Sequence, residues 1–381
     1  MINWKEYCLN DLLSYEQPTP YIVESTDYND TYKTPVLTAG KSFVLGYTNE
    51  ESGIFNKLPV IIFDDFTTAS RYVNFPFKVK SSAMKILTPN TELVLPKYIY
   101  YRMQIIEFDH STHKRYWIQQ YSKIKVKIPS LQKQERTVAK IEELFSELDN
   151  GVETLKKTKQ QLAVYRKSVL KEAFVGNYPK VPLKYISDTM SGYAFKSKRY
   201  NPDGQYVVVK IGNVKPFKFD FSRDLTKTNE VEGDILKKYL LKHGDCLITM
   251  TGSRGKRDYG FVSMITDQEN YLLNQRVSAL RFNPEKALPE FFQYYLSSSD
   301  FRNQFFLYET GNVGQGNVGI KALTEPMVVC PDLEQQKKIV LNIEARMSAC
   351  DMIEKTVDIA LQQAEAMRQS ILKKAFEGEL E

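Results

Sequence analysis

A stretch of 48 residues occurs twice in this 381-residue chain, and it limits the fold more than any other feature. Residues 129–176 align with residues 331–378 without a gap, and 18 of the 48 positions are identical. The identities include Leu131/Leu333, Gln134/Gln336, Ile141/Ile343, Asp149/Asp351, Arg166/Arg368 and Ser168/Ser370. Each copy has the seven-residue apolar spacing of a coiled coil. One heptad position takes Ile141, Leu148, Leu155, Leu162 and Val169 in the first copy, and Ile343, Cys350, Val357, Ala364 and Ile371 in the second. Ser130 and Asp332 are N-cap residue types placed just before the pattern. Gly176 and Gly378 stand where a left-handed C-cap glycine is expected. Two long helices are predicted, packed on each other antiparallel.

The segments before the helices repeat as well. Strand-like runs are read at 34–40, 42–48, 58–66 and 75–87, and the stretches 33–41, 58–66 and 81–89 are matched in order by 204–213, 244–252 and 276–284. The Leu95-Pro96 start of a short helix is matched by Leu288-Pro289, and the alternating run before the first long helix by 325–331. The expected class is α+β, with two globules and two long antiparallel coiled-coil helices in a pseudo-twofold internal repeat. The expected boundaries are 1–128, 129–178, 179–330 and 331–381.

Several chemistries find no support. The Gly314, Gly316 and Gly319 spacing fits a dinucleotide fingerprint, but a helix precedes it and a strand follows, the reverse of what that site needs. There is no P-loop, no methyltransferase tetrapeptide, no nucleophile elbow and no metal-ligand spacing among three histidines and four scattered cysteines. Asp64 and Asp65 are adjacent in a strand and so point to opposite faces.

Basic loops with polar and aromatic neighbours remain. Net charge is +6, which permits a nucleic-acid partner. Arg can read guanine edges bidentately and Lys can neutralise phosphate. In the first globule the candidates are Thr68, Ser70, Arg71, Lys78, Lys80, Lys114 and Arg115. In the second they are Lys196, Lys198, Arg199, Ser253, Arg254, Lys256, Arg257, Tyr259, Gln275, Arg276, Gln315 and Asn317.

With these features the chain resembles the specificity subunits of type I restriction–modification enzymes. The resemblance rests on the Pro129-x-Leu131-x-x-Gln134 and Pro331-x-Leu333-x-x-Gln336 helix starts, and on stretches such as SGYAFKSKRY, GDCLITMTG and LLNQRV. It implies two target-recognition domains, each reading half of a bipartite, asymmetric site in double-stranded DNA. It implies that the helices set the spacer and dock two modification subunits, and that restriction subunits join the full complex. Catalysis would lie outside this chain, in an assembly that is a DNA adenine methyltransferase and ATP-dependent endonuclease. S-adenosylmethionine, ATP and Mg2+ would belong to the partners, with no cofactor and no metal here. The location would be cytoplasmic, with no membrane involved. The alternatives are the specificity chain of a related type II system and a coiled-coil protein–protein scaffold.

Overall fold

The computed structural model describes residues 4–40, 42–110, 115–222, 224–229, 231–267, 270–312 and 314–380. The chain forms two compact units. One comprises residues up to 156 together with 358 onward, and the other residues 157–357. Each unit therefore takes a globule, part of the helix that follows it and part of the other long helix.

In the first unit a four-stranded antiparallel sheet has the order Leu13–Glu16, Met84–Pro89, Val60–Asp64, Ser70–Val73. Val60, Ile61, Ile62 and Phe63 are all fully buried, because the strand is covered on both faces. Ile61 and Phe63 enter one apolar cluster with Tyr98, Trp117 and Val138. Val60 and Ile62 enter another, with Phe55 and Phe77. Continuous apolar runs of this kind mark a strand buried on both sides. A three-stranded sheet joins Thr34–Leu37 to Val44–Thr48 antiparallel and to Lys78–Val79 parallel.

The second unit repeats this topology. Its four-stranded sheet has the order Ser187–Ser191, Val277–Phe282, Cys246–Thr249, Val262–Met264. Tyr206–Val209 pairs parallel with Tyr271–Leu273 and antiparallel with Lys227–Thr228. The strand matches proposed from sequence thus fall on equivalent strands. One run was read too long: 75–87 breaks into Lys78–Val79 and the start of Met84–Pro89, which lie in different sheets.

The long helices span Leu131–Ala173 and Leu333–Glu377. Of the heptad positions read from sequence, Ile141, Leu162, Val169, Ile343, Cys350, Val357 and Ala364 are buried, while Leu148, Leu155 and Ile371 are half-buried. Within each unit the two helices run antiparallel. In the first unit Arg368 bonds Asp149 and stacks over Phe145, while Leu372 joins the cluster of Ile141 and Phe145. In the second, Arg166 donates to Glu354 at 2.6 Å and to Asp351 at 2.5 Å. The repeated Asp and Arg identities are therefore one ion pair made twice. Asp332 caps its helix, accepting from the Gln335 N–H at 2.8 Å. Gly378 has φ +83° and ends the second helix as expected. Gly176 is not in the left-handed region; a Cβ there would meet the Tyr178 ring at 2.6 Å, so its missing side chain provides room for an aromatic.

The repeated glutamine has a structural role. Gln134 is fully buried; its Nε2 donates to the carbonyls of Leu93 (3.0 Å) and Pro129 (2.9 Å), and its Oε1 accepts from the Leu95 N–H (2.8 Å). Gln336 does the same with Lys286 (2.9 Å), Pro331 (2.8 Å) and Leu288 (2.8 Å). Each joins a long helix to the turn that opens the short helix Pro96–Met103 or Pro289–Ser297. Gln336→Leu leaves a buried N–H and two carbonyls short of partners. It is expected to lower stability by about 2–3 kcal/mol in denaturant unfolding; a loss below about 0.5 kcal/mol would show that water replaces the carboxamide.

Candidate nucleic-acid interface

In the second unit the site is built at the end of strand Cys246–Thr249. Met250 donates its N–H to the Arg276 carbonyl and accepts from the Val318 N–H, both at 2.9 Å. The turn at 274–276 and the strand Gly316–Val318 are thereby fixed on either side of it. Thr251–Gly252 pairs antiparallel with that strand, Thr251 opposite Asn317 and Gly252 opposite Gly316. This brings the basic loop against the glycine-rich one, where Arg254 donates to the Gly311 carbonyl at 2.7 Å. The glycine-rich segment is a hairpin loop between Glu309–Thr310 and Gly316–Val318, followed by one short 3-10 turn, Ile320–Leu323, and not by the α-helix a dinucleotide site needs.

The basic loop is held in one shape from below. Asp258 accepts from the Ser253 N–H (2.6 Å) and hydroxyl (3.0 Å), and these bonds hold its carboxyl below the usual carboxylate range. Gly255, Arg257 and Gly260 all have positive φ. Arg302 donates to the carbonyls of Gly260 (2.6 Å), Tyr259 (3.1 Å) and Arg257 (3.2 Å). The result is a tip on which Arg254, Lys256, Gln275, Arg276 and Gln315 are exposed, with Ser253 and Asn317 partly so. The turn Ser197–Arg199 is tied to the same region: the Gln275 N–H donates to the Tyr193 carbonyl at 2.9 Å. Lys196, Lys198 and Arg199 are exposed there, Arg199 lying 3.8 Å from Glu232.

One of these candidates, Tyr259, differs from its sequence reading. Tyr259 is fully buried, its hydroxyl bonded to Glu309, and burial, reinforced by that carboxylate, pushes its phenol well above its ordinary value. It supports the loop from inside. Arg257 stays exposed, with its guanidinium 4.7 Å from the Phe306 ring centroid.

In the first unit the equivalent strand ends at Asp64. The Asp64 carboxylate accepts from the Phe66 (3.0 Å) and Thr67 (2.9 Å) N–H groups, and Thr68 takes φ +56°. His110, which sequence reasoning passed over for want of a metal spacing, has Nε2 2.9 Å from Thr68 Oγ1 and 3.1 Å from the Thr67 carbonyl. Arg115 is exposed and lies 6.0 Å from the Phe66 ring centroid. Lys80 is exposed in a separate turn. Arg71 is half-buried, donating to the Gly40 carbonyl at 3.4 Å.

Two further candidates face inward. Lys78 is 2% exposed, with Nζ 2.7 Å from Glu50 and 2.8 Å from the Ser52 carbonyl. Ser70 is buried and accepts from Gln104 at 2.7 Å. A buried ammonium that already has a carboxylate partner cannot also meet DNA without exposing both groups. Lys114 lies outside the described residues.

The family model described as "Type I restriction modification DNA specificity domain" matches residues 1–163 and 177–363. The chain is 51% identical over 146 residues to the EcoR124I/EcoR124II specificity subunit of Escherichia coli, covering 37% of this chain and 36% of that protein. It is 26% identical over 277 residues to the EcoKI specificity subunit of E. coli K12, covering 68% of this chain and 58% of that one. The matches thus span about a third and somewhat over half of these relatives' lengths. Two solved structures share the fold. A chain from work on complex assembly and conformational transition of the type I R-M system gives a TM-score of 0.71 at 16% identity, with both chains fully covered. The HsdS subunit from Thermoanaerobacter tengcongensis gives 0.58 at 16% identity, covering 99% of this chain and 97% of that one. With the repeated helix starts, the duplicated sheets and a family model matched over both halves, the chain belongs to the type I restriction modification DNA specificity domain family.

Proposed function

We propose that the chain is the DNA sequence-recognition subunit of a type I restriction–modification complex, with catalysis and the cofactors S-adenosylmethionine, ATP and Mg2+ left to partner subunits. Each unit reads one half of a bipartite, asymmetric site. The long helices set the spacer and dock two modification subunits, which restriction subunits join.

One observation carries this reading. The two units have the same strand order, yet the loops at the ends of their equivalent central strands differ. One is a compact turn held by Asp64, with Arg115 exposed beside it and Thr68 half-buried against His110; the other is a broad tip carrying Arg254, Lys256, Gln275, Arg276 and Gln315. A common scaffold with unlike tips suits two different half-sites. A pure scaffold protein has no need of exposed Arg, Gln and Asn side chains on rigid loops.

The test is Arg254→Ala. A base-reading arginine contributes about 1–3 kcal/mol of discrimination, so binding to the cognate duplex should fall by about 5- to 150-fold. The preference at the other half-site should be retained. Unchanged binding together with unchanged methylation would remove Arg254 from the reading face.

A further inference from the structure

Behind the tip of the second unit lies a groove of 540 Å³, between the first long helix and the short helix Ser299–Phe306. Lys167, Lys171, Arg257 and Arg302 line it, and no carboxylate does. Among the described residues none of the four has an ion-pair partner. Lys167, Lys171 and Arg257 are exposed, while Arg302 is half-buried. Arg257 and Arg302 both lie against the Phe306 ring, at 4.7 and 5.1 Å. Burial and, second to it, the neighbouring Arg257 hold the Arg302 guanidinium below its usual value. Like charges gathered without a counterion repel one another, and an anion in the groove relieves that cost.

The first unit has an equivalent groove, since Gln369, Ser370 and Lys373 align in the repeat with Lys167, Ser168 and Lys171. There Arg102 and Lys373 are balanced by Glu107 and Glu377. The excess positive charge therefore belongs to one half only. A docking face for two copies of one modification subunit would have to be alike in both halves. DNA contacts need not be, because the half-sites differ. Arg257 also belongs to the tip loop itself, which makes the groove continuous with the reading face.

We propose that this groove holds the phosphodiester backbone of the duplex beside the half-site read by the second unit. The inference rests on the functional reading above and adds to it a phosphate-binding surface on the helix. Base contacts at the tip then specify sequence, while the groove positions the strand.

The experiment compares the full chain with Lys167→Gln/Lys171→Gln, using a duplex of about 30 bp of arbitrary sequence, since phosphate contacts are indifferent to sequence. Both lysines are exposed, so the fold should survive, and melting curves check that it does. Each phosphate contact contributes about 0.9 to the slope of log K against log salt. The slope of the variant should therefore be shallower by about 2. Between about 50 and 200 mM salt the variant should lose about tenfold less affinity than the unmodified chain. Lys338→Gln/Lys355→Gln removes the same charge outside the groove and should keep the original slope. An unchanged slope in the groove variant, or an equal change in the control, overturns the proposal. If the unmodified chain itself fails to bind duplex, the functional reading falls, and the groove with it.

Discussion

Replacing Lys85 with Met is expected to destabilise the first unit by about 3–5 kcal/mol, the range found when one partner of a buried ion pair is removed. Lys85 and Asp65 are each 1% exposed, with Nζ and Oδ2 3.1 Å apart. Asp65 also ties down the segment around Trp117: its Oδ1 accepts from the Trp117 N–H at 2.7 Å and its carbonyl from the Tyr116 N–H at 2.9 Å. Lys85 makes a second bond, to Gln17 Oε1 at 3.1 Å. Removing the ammonium leaves a carboxylate away from water with only an amide donor. Unfolding should shift in denaturant, and the Thr68–Arg115 region should lose its shape before the second unit is affected. Asp65→Asn on the Lys85→Met background should recover part of the loss, because the stranded charge is gone. A loss below about 1 kcal/mol would mean that water reaches the pair in solution.

Much of the scaffold could be read from the sequence because it is written twice. The helix starts, the Asp–Arg pairs and the buried glutamines are identities at a fixed offset, and each marks a contact that both units make. The separation of Asp64 from Asp65 was also legible: the two carboxylates face apart, one holding the turn and the other buried against Lys85, although the strand ends at Asp64 and Asp65 already lies in the turn. The interface was less legible, for two physical reasons. Residue type does not reveal burial, so Lys78 read as a phosphate contact although Glu50 holds it inside. Loop shape depends on partners remote in sequence, such as Asn317 opposite Thr251 and Arg302 beneath 257–260. That geometry buries Tyr259, lays the exposed Arg257 over the Phe306 ring, and joins the basic and glycine-rich loops. His110 gave no signal, because its partner is a threonine hydroxyl rather than a metal or a carboxylate.

The largest change in specificity is expected from exchanging one unit whole. The sequence places the boundaries of the second globule near 178 and 330. The core shows that more must travel with it: Val169 and Phe174 of the first helix, and Ile339, Val340 and Ile343 of the second, belong to the same apolar cluster as Phe291 and Tyr295. A foreign globule set on these helix segments would leave cavities or clashes, each costing about 1–5 kcal/mol. The exchange should therefore replace residues 157–357 with the matching stretch of another family member. This keeps every globule with its own helix contacts, and the Arg368–Asp149 pair stays intact in the retained unit.

The most direct measurement is methylation mapping of host DNA carrying this chimera with its modification partner. The account predicts a bipartite site in which the half read by residues 4–156 is unchanged and the other half becomes that of the donor. A site in which both halves change together, or neither does, would contradict the assignment of one half-site to each unit.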